Sequence, residues 1–174
     1  MAQILIAEAP SLVVDFLVAR HRGLEIQYDP MGFGQTSEGG YWIWETGAPK
    51  SRMEKIGRHF SPSTKPEQGW PIIDTTGLSV IRADNDYELD GNGFVTDIPI
   101  PVWAATHGQH SVVTDAYGPE SGSHAPLFQI YDDDVTYGPT SLMAAMRHHL
   151  RRNLGPTAEI PDNLLTTASE KEPT

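Results

Sequence analysis

Apolar residues recur at helical spacing in a first segment, residues 10–22. Leu12, Phe16 and Leu17 would share one face of a helix there. A proline opens the segment and a glycine follows it, and these residues are typical of the start and the end of a helix. The pattern predicts a helix over residues 10–22. Asp15 is interpreted as a surface residue of this helix, with the orientation of Arg or His side chains as its alternative role.

A second segment near the C-terminus has the same spacing. Thr140 is a good helix N-cap, and Leu142, Met146 and Leu150 recur three to four residues apart until Gly155 ends the pattern. We predict a helix that buries Met146 and Leu150. Its basic side chains are predicted on the solvent side: Arg147, His148, Arg151 and Arg152.

The region from residue 72 onward is a series of short β-rich runs, beginning with Pro-Ile-Ile-Asp. Turn residues separate the runs, and Asp-Gly and Asn-Gly dipeptides at 90–93 are typical of tight hairpins. We therefore predict a hairpin between a strand near Tyr87 and one at 94–98. The aromatic run Tyr-Trp-Ile-Trp-Glu predicts a further strand at residues 41–45. The short apolar run at residues 3–7 predicts either a strand or a lead-in to the first helix.

These elements define a fold of the α+β class: a small antiparallel sheet with two principal helices. The length suits a single domain over residues 1–165. Residues 166–174 are small and polar, and we predict that they form a disordered C-terminal tail.

Charge is distributed unevenly along the chain. The 174 residues include 12 Lys and Arg against 23 Asp and Glu, for a net charge of −11. No Lys or Arg lies between Arg82 and Arg147, where ten of the acidic residues are found. Proteins that bind nucleic acid need a basic surface to displace counterions from phosphates, so no direct nucleic-acid partner is expected. The acidic half, residues 84–134, is interpreted as solubilising, with a cation site or imitation of a nucleic-acid backbone as alternatives.

The absence of certain residue types excludes several kinds of site. Without cysteine, the chain has no disulfide framework, no Cys-ligated zinc or iron–sulfur site and no Cys nucleophile. No apolar run approaches the roughly 20 residues of a membrane span. The N-terminal residues do not have the pattern of a signal peptide. We expect a protein of the cytoplasm that has no membrane partner.

Three blocks of sequence carry a family resemblance. They are LVVDFLVARHRGLE at 12–25, FSPSTKPEQGWPIID at 60–74 and GPTSLMAAMRHHLRRNLGPTAEIPDNLL at 138–165. In combination and order they resemble the NinX-like family of phage accessory proteins. In the second block, Lys65-Pro66 and Gly69-Trp70 stand where that family has Asp-Trp and Gly-Gly. The resemblance implies a protein made during phage infection of a bacterial host, and it implies no particular activity.

Two hydroxyl-rich segments are candidates for an anion site. Residues 61–64, Ser-Pro-Ser-Thr, form a loop stiffened by proline. The predicted C-terminal helix begins with hydroxyl residues and free amides, which attract anions, and an arginine follows about two turns later. A tryptophan, at position 70, 103 or 42, would supply a stacking wall. The predicted ligand-binding residues are Ser61, Ser63, Thr64, Trp70, Thr140, Ser141 and Arg147; the alternative is a structural turn and a simple helix cap.

Acidic and histidine motifs give no strong metal signature. Residues 86–97 overlay a calcium loop, but the flanks are strand-like and favour a hairpin turn. His107 and His110, with Asp115 nearby, lack a clear third ligand, and the acidic run 132–134 is typical of a solvated turn. No nucleophile motif is present. We predict no catalytic residue, no metal and no cofactor.

The leading prediction is a non-enzymatic phage accessory protein that binds a small anionic, nucleotide-like molecule or a host protein. Neutralising a host defence signal would fit the phage setting. One alternative is a nucleic-acid mimic whose acidic half occupies a basic groove on a host protein. A second alternative is a metal-dependent enzyme that uses His107, His110 and the acidic residues.

Overall fold

The computed structural model describes residues 1–31, 39–44, 53–89, 95–107 and 135–169. The helices in these ranges are α1 (Ser11–His21), α2 (Pro66–Thr76), α3 (Ser141–Leu154) and α4 (Asp162–Ser169), with a short 3₁₀ turn at Ile6–Glu8. The strands are β1 (Ala2–Leu5), β2 (Ile26–Asp29), β3 (Gly40–Ile43), β4 (Glu54–Lys55), β5 (Leu78–Leu89), β6 (Val95–His107), β7 (Thr136–Gly138) and β8 (Thr157–Ile160). The predicted α+β class is confirmed.

The strands form three small antiparallel sheets where one was predicted. β1 pairs with β8, so the two ends of the described chain lie side by side. β3 lies between β2 and β4, and β6 lies between β5 and β7. The apolar faces of these sheets pack against α1 and α3, which supply most of the core.

The predicted hairpin is confirmed by the pairing of β5 with β6. Leu89 pairs with Val95 at the closed end, and Leu78 pairs with His107 at the open end. The Asp-Gly and Asn-Gly turn residues at 90–93 lie outside the described residues. The strands predicted between residues 111 and 131 also lie outside them.

Both principal helices are confirmed. α1 ends at a left-handed glycine, Gly23, with a φ of 71°. α3 begins at its Thr140 cap and ends at Gly155, and its Met146 and Leu150 are fully buried. α3 packs against both α1 and α2, so its side chains can contact either helix.

The prediction of a strand at Pro-Ile-Ile-Asp is wrong, because these residues belong to α2. The helix starts with Pro66 at its first turn, where a missing amide hydrogen costs nothing, and stops at left-handed Gly77, with a φ of 66°. Ile72 and Ile73 are both buried in the core. Two adjacent β-branched residues favour a strand by propensity, and the burial of both in a tertiary contact outweighs that preference.

The C-terminal region differs from the predicted tail. α4 contains residues 166–169, so the boundary predicted at residue 166 falls inside a helix. Leu164 is fully buried and anchors α4 to the core. Residues 170–174 are outside the described part of the chain. None of the helices that the structure describes has the length and apolar character to cross a bilayer.

Candidate functional site

The loop at residues 61–64 is held by a buried carboxylate. Ser61 Oγ donates a hydrogen bond to one oxygen of Asp15 at 2.6 Å, and the Ser63 amide donates to the other at 2.9 Å. Asp15 and Ser63 are fully buried, and Ser61 is 4% exposed. The interpretation of Asp15 as a surface residue is therefore wrong. Thr64 is exposed, and its hydroxyl lies 2.8 Å from Ser61 Oγ.

Burial raises the pKa of Asp15 to about 6. The hydrogen bonds from Ser61 and Ser63 and the charge of Lys65 oppose this shift without cancelling it. The donors of the loop thus stabilise a carboxylate that belongs to the protein itself. This geometry matches the structural-turn interpretation of Ser61 and Ser63.

A close backbone contact brings the loop next to the start of α3. A Cβ added to Gly69 would overlap the Pro62 carbonyl oxygen and lie 2.7 Å from a methyl group of Leu142. The two predicted segments therefore meet at Gly69. Trp70 follows it and is 42% exposed, whereas Trp42 is 7% exposed and belongs to the interior.

Thr140 and Ser141 stand at the start of α3. The Thr140 hydroxyl accepts a hydrogen bond from the Met143 amide at 3.1 Å, which confirms the predicted N-cap. Thr140 is exposed and Ser141 is half-buried. The cap uses one of the first-turn amides that an anion would need.

Replacing Thr140 with alanine should lower the free energy of unfolding by about 1 kcal/mol, because the Met143 amide loses its acceptor. Ser141→Ala is the matched control at the neighbouring position and should stay within about 0.5 kcal/mol of the wild type. Urea denaturation of both variants measures the difference. Equal stability of the two would contradict the assignment of Thr140 as the cap.

Arg147 is not on the solvent side of α3, so that prediction is wrong. Its guanidinium donates to the Ala9 carbonyl at 2.8 and 3.1 Å and to the Tyr137 carbonyl at 3.1 Å. These contacts join α3 to β7 and to the segment before α1. The structure therefore gives Arg147 a structural role.

His148 is also on the inner side of α3, although we predict it outside. It is fully buried, and its ring stacks on His107 of β6 with centroids 6.0 Å apart. His110, the other half of the His107-x-x-His110 motif, lies outside the described residues, as does Asp115. Among the residues that the structure places, no group of three His, Asp or Glu is arranged to hold a metal ion.

A pocket of about 340 Å³ lies where the C-terminal ends of α1 and α2 meet the middle of α3. Gly23 and Gly77, both with a left-handed backbone, follow the last turns of these two helices. The His21 and His149 rings meet edge to face there, with centroids 5.2 Å apart. The residues around the pocket are His21, Arg22, Pro71, Ile72, Thr75, Thr76 and His149.

The polar side chains of this pocket are two histidines, an arginine and two threonines. His21 is the last residue of α1, Arg22 is its C-cap, and His149 comes from α3. The Thr75 and Thr76 hydroxyls donate to carbonyls of their own helix, at 2.9 Å to Pro71 and 2.8 Å to Ile72. The C-terminal ends of α1 and α2 carry a partial negative charge, which the basic side chains of His21 and Arg22 complement. None of the described residues that surround the pocket is acidic.

His149 is held neutral in the free protein. Burial lowers its pKa to about 4, and the nearby charges of His21, His148, Arg22 and His107 act in the same direction. Asn153 Nδ2 donates to the His149 carbonyl at 2.7 Å, which fixes the orientation of the amide. The same nitrogen lies 3.4 Å from His149 Nδ1, so Nδ1 is the acceptor and Nε2 carries the proton.

Sequence reasoning missed this pocket because its residues come from three distant segments. His21 and Arg22 are also the residues expected to complement the dipole at the end of α1. His149 fits the helical repeat of α3, and α2 is not predicted at all. The one signal in the sequence is the presence of two basic pairs, His21-Arg22 and His148-His149, at or within predicted helices.

No protein-family model matches the chain. No curated protein matches it significantly.

Proposed function

We propose that this protein is a non-enzymatic binding protein for a small anionic molecule, and that the molecule occupies the pocket between α1, α2 and α3. The observation that carries the proposal is the meeting of His21, Arg22 and His149 around one cavity without an acidic neighbour among the described lining residues. A cavity of about 340 Å³ is at the lower end of the range for small-molecule sites. A single small ligand is therefore the expected occupant.

A basic pocket is unexpected in a chain whose net charge is strongly negative. At a net charge of −11, the protein as a whole repels anions, so binding must come from short-range contacts. Arg22 offers a planar fork of donors that suits carboxylate and phosphate oxygens. The exposed position of Arg22 leaves it accessible from solvent.

The biological role follows from the family resemblance. A NinX-like phage accessory protein that sequesters a small anionic molecule in the cytoplasm of an infected bacterium would counter a host defence that signals with such a molecule. Sequestration needs binding alone, which agrees with the prediction of a non-enzymatic protein. The nucleic-acid mimic is retained as the outcome to be considered if no small anion binds.

Isothermal titration of the full chain with inorganic phosphate, sulfate and a panel of nucleotides tests the proposal. Arg22→Glu should weaken the best-bound anion by about tenfold or more, since attraction becomes repulsion beside the ligand. Arg58→Glu is the matched control, because Arg58 is exposed, lies outside the pocket lining and gives the same change in net charge. It should alter affinity by no more than about twofold.

Three results would count against the proposal. Equal losses in Arg22→Glu and Arg58→Glu would mean that net charge, not the pocket, governs binding. Unchanged affinity in Arg22→Glu would place the ligand elsewhere. Absence of binding to every anion in the panel, together with binding to a basic host protein, would favour the mimic.

A further inference from the structure

The pocket contains two histidines, which can bind protons, in addition to an arginine that could bind an anion by itself. His21 and His149 share it, and His149 lies within reach of the charges of two further histidines. We propose that the pocket binds the dianionic group of a small phosphate monoester and that binding places a proton on His149. This inference rests on the proposed function, and it adds a ligand class and a pH dependence to it.

The donor set of the pocket fits a tetrahedral dianion. Arg22 can offer two parallel N–H groups, and each imidazole can offer one more. A carboxylate has two oxygens and one charge, so three basic groups would be poorly matched to it. A phosphate monoester has three terminal oxygens and two charges, and it can accept from Arg22, His21 and His149 together.

The charges around His149 determine whether its ring binds a second proton. The charges of His21 and Arg22 act on it from the C-terminal end of α1, that of His148 from its own helix and that of His107 from β6. These basic groups disfavour a positive charge on His149 in the free protein. A bound dianion attracts the imidazolium, and the added proton comes from solvent onto Nδ1. The Asn153 amide then turns so that its Oδ1 accepts from Nδ1, in place of the bond from Nδ2 to the His149 carbonyl.

The remaining lining residues are suited to the rest of such a ligand. Thr75 and Thr76 donate their hydroxyl hydrogens to helix carbonyls, so the hydroxyl oxygens are left as acceptors. They can accept from a hydroxyl or amino group of the ligand. Pro71 and Ile72 add apolar contact for a carbon skeleton.

The experiment is nuclear magnetic resonance of the full chain with ¹⁵N-labelled histidine rings at neutral pH. Sulfate is the first probe, because it stays dianionic and does not itself titrate. Adenosine 5′-monophosphate is the second, as a phosphate monoester, and benzoate is the carboxylate for comparison. The His149 ring should be neutral in the free protein and become cationic on saturation with sulfate or the monophosphate.

Affinity for sulfate should also depend on pH. One proton taken up on binding strengthens affinity by about tenfold for each unit of pH decrease while free His149 is neutral and bound His149 is charged. His149→Gln should still bind sulfate, with the slope reduced by the equivalent of one proton. If this variant does not fold, the ¹⁵N spectrum of the wild-type histidine rings still shows whether His149 becomes charged when sulfate binds.

The outcomes separate this inference from the proposed function. If sulfate binds and Arg22→Glu weakens it while the His149 ring stays neutral, the proton inference is overturned and the anion site stands. If benzoate binds as tightly as the monophosphate, the assignment to phosphate monoesters is overturned. If none of the three probes binds, the inference and the anion site both fail.

Discussion

Replacing Asp15 with alanine should lower the free energy of unfolding by about 3 kcal/mol at pH 6. The carboxyl group is fully buried and accepts from the Ser61 hydroxyl and the Ser63 amide. Its removal leaves a buried amide hydrogen without an acceptor and a cavity beneath the loop. Ser61 can turn its hydroxyl to Thr64 Oγ1, 2.8 Å away, so the Ser63 amide accounts for most of the polar loss. Chemical denaturation of the wild type and the variant measures this difference.

The difference between wild type and Asp15→Ala should depend on pH in a defined direction. The pKa of Asp15 is raised from 3.8 to about 6 in the folded state, so the folded protein holds the proton more tightly than the unfolded chain. This group therefore stabilises the fold most at low pH, and the contribution is lost as the pH rises from about 4 through 6. Between pH 7 and pH 5, the wild type should gain roughly 1–2 kcal/mol relative to Asp15→Ala. A difference that narrows as the pH falls would contradict this account.

Asp15→Asn is the variant that separates charge from hydrogen bonding. Its carbonyl oxygen can accept from the Ser63 amide, and its Nδ2 can donate to Ser61 Oγ while that hydroxyl donates to Thr64. The Asn oxygen and one Nδ2 hydrogen are then paired and no charge is buried, so stability at pH 7 should be within about 1 kcal/mol of that of the wild type. The pH dependence assigned to position 15 should disappear in this variant. A large loss in Asp15→Asn would show that the loop requires the charge.

The elements predicted correctly are those whose local pattern agrees with their tertiary environment. α1 and α3 combine helical spacing, a clear start and a glycine at the end, and the β5–β6 hairpin has two strong turn dipeptides. α2 was missed because Ile72 and Ile73 favour a strand locally, while their burial is decided by contacts distant in sequence. The burial of Asp15 is of the same kind: its partners, Ser61 and Ser63, are more than 40 residues away.

The candidate site illustrates the same limit. The sequence predicts an anion site from hydroxyl groups and a guanidinium. In the structure these segments make hydrogen bonds to other groups of the protein, at Ser61, Ser63, Thr140 and Arg147. Sequence shows which groups can donate, and it does not show which donors are already engaged by a carboxylate or carbonyl brought near by folding. The pocket at His149 required the relative placement of three helices, which no local pattern contains.

Arg147→Glu should destabilise the protein by about 3–4 kcal/mol, although the sequence alone predicts a minor effect. The substitution removes the donors that bind the Ala9 and Tyr137 carbonyls and brings a carboxylate toward those oxygens. Arg147→Lys keeps the charge and can donate to one of the two carbonyls, so its cost should be about 1–2 kcal/mol. Arg152→Glu, at an exposed position in the last turn of the same helix, is the control for charge and should cost about 1 kcal/mol. Equal denaturation midpoints for Arg147→Glu and Arg152→Glu would show that the carbonyl contacts do not stabilise the fold.

The same variants decide between the two candidate anion sites. Arg147→Lys should remain folded, and its affinity for adenosine 5′-monophosphate should equal that of the wild type, because Arg147 does not line the pocket. Arg22→Glu should lose that affinity while keeping its stability, since Arg22 is exposed. The opposite pattern, with binding lost in Arg147→Lys and kept in Arg22→Glu, would return the ligand to the start of α3. In that case the Ala9 and Tyr137 carbonyls would have to release the guanidinium when the ligand binds, and added ligand would raise the denaturation midpoint of the wild type but not that of Arg147→Lys.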